Sequence, residues 1–155
     1  MDEQGQSITV VEMQPKHIEA LERLEQECFS TPWSFDALVS ELSNPLAVFR
    51  VAELDGEVAG YVGMHHIVDE GYICNIAVFS QYRRRGVATS LMQALDDYAR
   101  ENDMASISLE VRESNQIAQQ FYEKFDFEVV GHRKHFYANP TEDALIMTRS
   151  YGGLF

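Results

Sequence analysis

Three consecutive arginines and a glycine, Arg83-Arg84-Arg85-Gly86, close a polar turn that follows an apolar run ending at Phe79. Val87-Ala88-Thr89 then open a helical pattern. The first turn of a helix carries unpaired backbone N–H groups and a partial positive charge, so it can hold a phosphate. Gly86 keeps a Cβ out of the anion's approach, and small Ala88 leaves the next turn open. The loop is not a Walker motif, because no Gly-Lys-Ser/Thr follows. Nor is it a dinucleotide fingerprint, which needs G-x-G-x-x-G directly after the first strand. A solvated basic turn is the alternative reading. Against it, a chain with a formal net charge of −13 has little general need for three adjacent like charges, whereas a bound pyrophosphate would offset their repulsion.

A second set lies further on, in Leu109-Glu110-Val111-Arg112-Glu113-Ser114-Asn115 and Phe121-Tyr122-Glu123-Lys124-Phe125-Asp126-Phe127. Glu110 alternates with two apolar residues in a strand pattern, a half-sheltered place for a carboxylate that could take up a proton. A solvent-facing strand glutamate is the plainer reading. Tyr122 falls on an apolar helical stripe, where a core aromatic is the default. Its hydroxyl still needs a partner and can donate a proton. The two cysteines, Cys28 and Cys74, have no metal-ligand spacing and no histidine paired with them in a motif. His65, His66, His132 and His135 likewise show no spacing that requires a ligand role, so no metal is expected.

The elements that must position these residues follow from periodicity. Ser7–Met13 alternates as a strand; Pro15 starts a helix marked by Ile18, Leu21, Leu24 and Cys28. Ser30-Thr31-Pro32-Trp33 breaks it, and Ser34 caps a short helix through Phe35, Leu38, Val39 and Leu42 that Asn44-Pro45 ends. Ala47–Leu54 and Val58–His66 are strands joined by Asp55-Gly56, a hairpin signal. Gly71–Phe79 is a strand, and the helix after the arginines carries Val87, Leu91, Leu95 and Tyr98 on one face. Ser106–Val111 is a strand and Asn115–Lys124 a helix; Phe127–Arg133 and Ala144–Thr148 finish as strands. The expected order is β-α-α-β-β-β-α-β-α-β-β, an α/β (α+β) mixed sheet of about seven strands flanked by about four helices, as one domain over residues 1–155.

Composition sets the outer limits. With 155 residues and 45% hydrophobic content, the chain can bury a core without disulfides or metals. No apolar run is long enough to cross a membrane, and MDEQGQSIT has neither the basic nor the apolar region of a signal peptide, so a cytoplasmic protein is expected. The charge of −13 argues against nucleic-acid binding and suits a basic partner. Glu25, Glu27, Glu41 and Asp69 are acidic residues that could face an incoming cationic peptide.

Together, the loop and the LEVRESN segment resemble the GNAT superfamily of acetyl-CoA-dependent N-acetyltransferases. Ser30-Thr31-Pro32-Trp33-Ser34, Asn75-Ile76-Ala77-Val78, Tyr137 through Pro140, and Glu142-Asp143-Ala144 to Met147 extend the likeness over nearly the whole chain, most closely to the branch acting on ribosomal-protein alanine. The resemblance implies the superfamily's fold and acetyl-CoA as acetyl donor. It implies that the backbone of Ile76, Ala77 and Val78 holds the pantetheine arm, and that Arg84, Arg85, Gly86, Val87, Ala88 and Thr89 hold the pyrophosphate, with Arg83 opening the motif. It further implies that Asn115 contacts the cofactor, that Glu110 is the general base, and that Tyr122 protonates the departing thiolate. The acceptor it implies is the N-terminal alanine of a basic ribosomal protein, S18 by analogy. A lysine or small-amine acetyltransferase and a non-catalytic acetyl-CoA-binding module are the alternatives. There are four departures from the pattern: Phe79-Ser80 for Asp-Pro, Thr89 for a basic residue, Asp126 for glycine and Phe136 for tyrosine. None touches Glu110 or Tyr122.

Overall fold

The structure, a computed structural model, describes residues 7–152. Residues 1–6 of the polar N-terminal stretch lie outside them. Among the described residues, seven strands, β1 (Ile8–Glu12), β2 (Ala47–Leu54), β3 (Glu57–Ile67), β4 (Glu70–Val78), β5 (Ser106–Arg112), β6 (Glu128–Tyr137) and β7 (Glu142–Ser150), hydrogen-bond in the order β1-β2-β3-β4-β5-β7-β6. Four α-helices among the described residues, α1 (Ile18–Cys28), α2 (Phe35–Glu41), α3 (Val87–Glu101) and α4 (Gln116–Glu123), complete the expected order. Among the described residues, no helix is long and apolar enough to cross a membrane.

Backbone proximity groups the chain into two compact units, residues 1–65 with 74–98 and residues 66–73 with 99–155. In the first, β1 pairs antiparallel with β2, and β2 with β3. Ile18, Leu21 and Leu24 of α1 and Leu38 of α2 are buried with Phe49, Val51, Tyr61 and Ala77 in one cluster. Helical spacing brings those α1 positions to a single face, and burying each leucine contributes about 1.5–3 kcal/mol. Ser34 caps α2 by accepting from the Ala37 N–H at 3.1 Å. Pro15 begins not α1 itself but a single 3₁₀ turn, Pro15–His17, that leads into it. Gly60 is required by close approach, because a Cβ there would lie 2.6 Å from the carbonyl oxygen of Ala77 on β4.

In the second unit, β5 pairs in parallel with β4 through Glu70–Tyr72 and Ser106–Ser108, and antiparallel with β7 along its whole length. Ile107, Leu109 and Val111 of β5 are buried, while the residues between them are only partly so. That alternation puts Glu110 on the opposite face from its neighbours. β6 runs to Tyr137, beyond the expected end at Arg133, and β7 starts at Glu142 rather than Ala144. The sequence expectation ends the strand at Arg133. Pairing of Tyr137 with Glu142 across a register shift carries the strand past it, and His135, at φ 52°, donates its N–H to Asp143 Oδ1.

Candidate active site

The arginine loop belongs to the first unit. The backbone enters it extended at Arg83 (φ −68°, ψ 155°), turns left-handed at Arg84 (φ 63°) and again at Gly86 (φ 82°), and continues into α3 at Val87. A left-handed backbone is uncommon for a residue with a Cβ, so two such positions in three mark a shaped turn. Turns of this kind point successive N–H groups into a concavity that suits an anion. Open space surrounds the Cβ position of Gly86, whose nearest neighbour would be Ile8 Cδ1 at 4.0 Å. Glycine is needed there for its φ rather than for room.

The three arginines do different things. Arg83 turns back onto the protein: its Nε donates to the Val78 carbonyl at 3.3 Å and its Nη2 lies 3.6 Å from Cys28 Sγ. Arg85 places its guanidinium 5.7 Å from the Tyr82 ring centroid. Arg84 is exposed, as is Thr89, while Val87 anchors the helix start in the core at 1% exposure. Ala88 is half-buried. Of the strand residues, Ala77 packs in the core cluster and Ile76 and Val78 flank it, all beyond the Glu70–Tyr72 ladder to β5.

Glu110, Asn115 and Tyr122 belong to the second unit. The Glu110 side chain is 4% exposed, and Arg133 Nε donates to its Oε2 at 2.8 Å, a charge-assisted bond. Its other oxygen, Oε1, is buried with no hydrogen-bond partner among the described residues. Native proteins rarely leave such an atom unsatisfied. Asn115 accepts from the Ala118 N–H at 3.1 Å and so caps α4, which commits its carbonyl oxygen and leaves the amide nitrogen end for other contacts. Tyr122 is buried between Phe121 and Phe127, with ring centroids 5.5 and 5.8 Å away. Burial pushes its phenol well above the ordinary tyrosine range, and Tyr137 adds to the effect.

Several residues of consequence were not singled out from sequence. Arg133 is one. Tyr137, quoted from sequence only as the start of a matching segment and given no role, is another: burial pushes its phenol up to about 12, the Glu110 charge adds to this and Arg112 opposes it. The Arg112 guanidinium lies 4.4 Å from the Tyr137 ring centroid and bonds Glu142 at 3.2 Å. Glu142 also accepts from the Ser114 N–H at 2.6 Å, which holds its carboxyl below the usual range. No local pattern gives Arg133 or Tyr137 a role, since both reach Glu110's surroundings only through the β5-β7-β6 pairing.

Glu25 corrects an expectation. It does not face a peptide: it is fully buried, accepting from the Trp33 N–H (2.8 Å), the Tyr61 hydroxyl (2.6 Å) and Asn75 Nδ2 (3.0 Å). Burial raises its pKa, and those three donors pull it back. It ties the turn at Trp33 to the strand that continues into Ile76. Glu27 accepts from the Ser80 N–H, and Glu41 is engaged with His65 and Asn44. Sequence pairs no histidine with either cysteine, yet His65 Nδ1 lies 3.6 Å from Cys74 Sγ. Glu113, His132 and Asp143 gather ligand-type atoms within 4.8 Å. Their geometry is that of an exposed ion pair, with His132 Nε2 3.0 Å from Glu113 Oε2.

A shaped anion turn at a helix start and a buried, half-satisfied carboxylate beside a raised tyrosine are parts expected of an acyl-transfer enzyme. Residues 18–127 match the model of the acetyltransferase (GNAT) family, and the chain belongs to that family. It is an acyltransferase of the class that draws its acetyl group from acetyl-CoA. A Bacillus subtilis protein provisionally named a ribosomal protein bS18-alanine N-acetyltransferase is 38% identical over 136 residues, which are 87% of this chain and 90% of that one. The Escherichia coli K12 ribosomal protein bS18-alanine N-acetyltransferase is 29% identical over 141 residues, 90% of this chain and 95% of that one. The crystal structure of the Escherichia coli ribosomal-protein-S18-alanine N-acetyltransferase superposes with a TM-score of 0.89 at 26% identity, covering 96% of this chain and 97% of that one.

Proposed function

We propose that this protein transfers the acetyl group of acetyl-CoA to the α-amine of an N-terminal alanine, that of ribosomal protein bS18, by direct attack within a ternary complex. The observation that carries the reading is the buried Oε1 of Glu110, a proton acceptor with no partner among the described residues. The neutral amine is the nucleophile, so its proton must leave. Glu110 takes it directly or through one water while Arg133 holds the other oxygen. The main chain of Arg84–Thr89 binds the pyrophosphate, supplemented by the Arg84 and Arg85 charges, and Arg83 braces the end of β4. Backbone groups of Ile76, Ala77 and Val78 hold the pantetheine arm and polarise the thioester carbonyl, and the Asn115 amide contacts the cofactor. Tyr122 keeps its proton at neutral pH and donates a hydrogen bond to the departing thiolate.

Energetics favours an α-amine over lysine. Its reference pKa of about 7.7–8.0 makes deprotonation at about pH 7.4 cost under about 1 kcal/mol, against about 4 kcal/mol for lysine near 10.4. One carboxylate suffices for the first. The −13 charge attracts a basic ribosomal protein rather than nucleic acid, in the cytoplasm where such substrates are made. The reading needs no metal. It treats residues 1–155 as a single domain, supported by a family match that runs through both units. The test is acetylation of a peptide panel with labelled acetyl-CoA: alanine-initiated bS18 peptide, the same peptide blocked at its α-amine, free lysine and polyamines. Label on the unblocked alanine peptide is expected. Transfer to lysine or polyamines in its place would assign a different acceptor, and cofactor binding with no transfer would make the protein a binding module.

A further inference from the structure

Two cysteines lie in the first unit, and only one has a base beside it. Cys28 Sγ faces the Val78 carbonyl oxygen and Arg83 Nη2, each at 3.6 Å, and neither can accept a thiol proton outright. Cys74 on β4 faces His65 Nδ1 on β3, also at 3.6 Å. On the far side of the ring, His65 Nε2 lies 2.8 Å from Oε1 of Glu41, at the end of α2. An ionised carboxylate only accepts, so that nitrogen carries the hydrogen and Nδ1 turns its lone pair toward the sulfur. Asn44 Nδ2 donates to the same Glu41 oxygen at 3.1 Å, and the Phe49 ring, 6.3 Å from the imidazole centroid, limits its swing. Thiol, imidazole and carboxylate thus stand in the relay used to activate nucleophiles.

We propose that Cys74, His65 and Glu41 form a second acyl-accepting site, at which the Cys74 thiol takes an acetyl group from a thioester donor. The donor is acetyl-CoA, so the inference rests on the function proposed above. Cys74 stands two residues before Ile76, about 7 Å along the strand assigned there to the pantetheine arm. His65 is 27% exposed and Cys74 half-buried, so the pair is accessible. Burial, helped by the Glu41 charge, pushes the thiol up to about 12. It is therefore protonated at rest and needs His65 during the attack. The Cys74 sulfur bonds to the acetyl carbon while His65 Nδ1 takes the thiol proton. The carbon–sulfur bond to coenzyme A then breaks, and the imidazolium returns the proton to the leaving thiolate. One thioester replaces another, with no oxidant, reductant or further reactant.

The full chain is incubated with labelled acetyl-CoA alone and analysed by intact mass and peptide mapping, alongside Cys74→Ala, Cys28→Ala, His65→Gln and Glu41→Gln. Calorimetric acetyl-CoA binding, acetylation of the bS18 peptide and urea unfolding are measured on each. The expected result is one acetyl group on the Cys74 peptide, released by neutral hydroxylamine, unchanged in Cys28→Ala and absent in Cys74→Ala. His65→Gln should slow its formation at least ten-fold and Glu41→Gln less, both without loss of cofactor binding or folding. Peptide acetylation with no thioester on Cys74, labelling of Cys28 at the same rate, or an unchanged rate in His65→Gln would each overturn the proposal while leaving the N-terminal activity standing. Absence of both cofactor binding and peptide acetylation would instead remove the functional reading on which it rests.

Discussion

In the function proposed above, the arginine loop and the Glu110 region contribute in opposite ways. The loop shapes its backbone, with left-handed turns at Arg84 and Gly86, and spends one of its arginines on bracing β4. Around Glu110 the backbone is an ordinary strand, and everything depends on one side chain whose two oxygens are treated differently: one bonded to Arg133, one left free. A site made of main chain spreads its work over several N–H groups and tolerates side-chain exchange. A site made of one atom does not.

The strongest way to break this contrast is Glu110→Gln. It should lower kcat by about 10²–10⁴-fold in peptide acetylation, with the acetyl-CoA dissociation constant unchanged by calorimetry. Next is Gly86→Val. A β-branched residue at φ 82° costs at least about 1–2 kcal/mol of backbone strain, so acetyl-CoA affinity should fall about ten-fold or more while bound cofactor still turns over. Replacing Arg84 and Arg85 together by alanine should weaken binding only several-fold. That loss should shrink at high salt, because exposed charges are screened. Equal affinity would mean that the main chain does all the holding.

The smallest effect concerns the buried carboxylate outside both regions. Glu25 has its pKa raised by burial, so the folded state binds its proton more tightly than the unfolded chain does. Its contribution to stability is therefore fully present below about pH 4.5 and is lost as pH rises through the folded-state value. Glu25→Gln should flatten that part of the stability curve, which urea unfolding at pH 5 and pH 8 would reveal. An identical slope in both proteins would remove Glu25 as the source.

The element order was legible because each element declares itself locally. Leu21 and Leu24 recur at helical spacing, Ser34 caps, Asp55-Gly56 turns, and β5 alternates. The loop and Glu110 stood out in the sequence as candidates, by residue type in context. What stayed hidden depends on partners brought together by the fold. Glu25 sits next to Leu24 on an acidic helix and looks solvated until Tyr61, 36 residues away, and Asn75, 50 residues away, close over it. Arg133 meets Glu110 only because β7 separates their strands by one position in the sheet. Cys74 and His65 are nine residues apart, yet their approach needs the strand pairing that places them side by side.

The account's central claim is a division of labour between shaped backbone and a single oxygen. Measuring acetyl-CoA dissociation and peptide turnover side by side in Glu110→Gln and Gly86→Val tests it most directly. The account predicts opposite losses: turnover without binding for the first, binding without turnover at saturating cofactor for the second. Full turnover in Glu110→Gln, or full acetyl-CoA affinity in Gly86→Val, would contradict it.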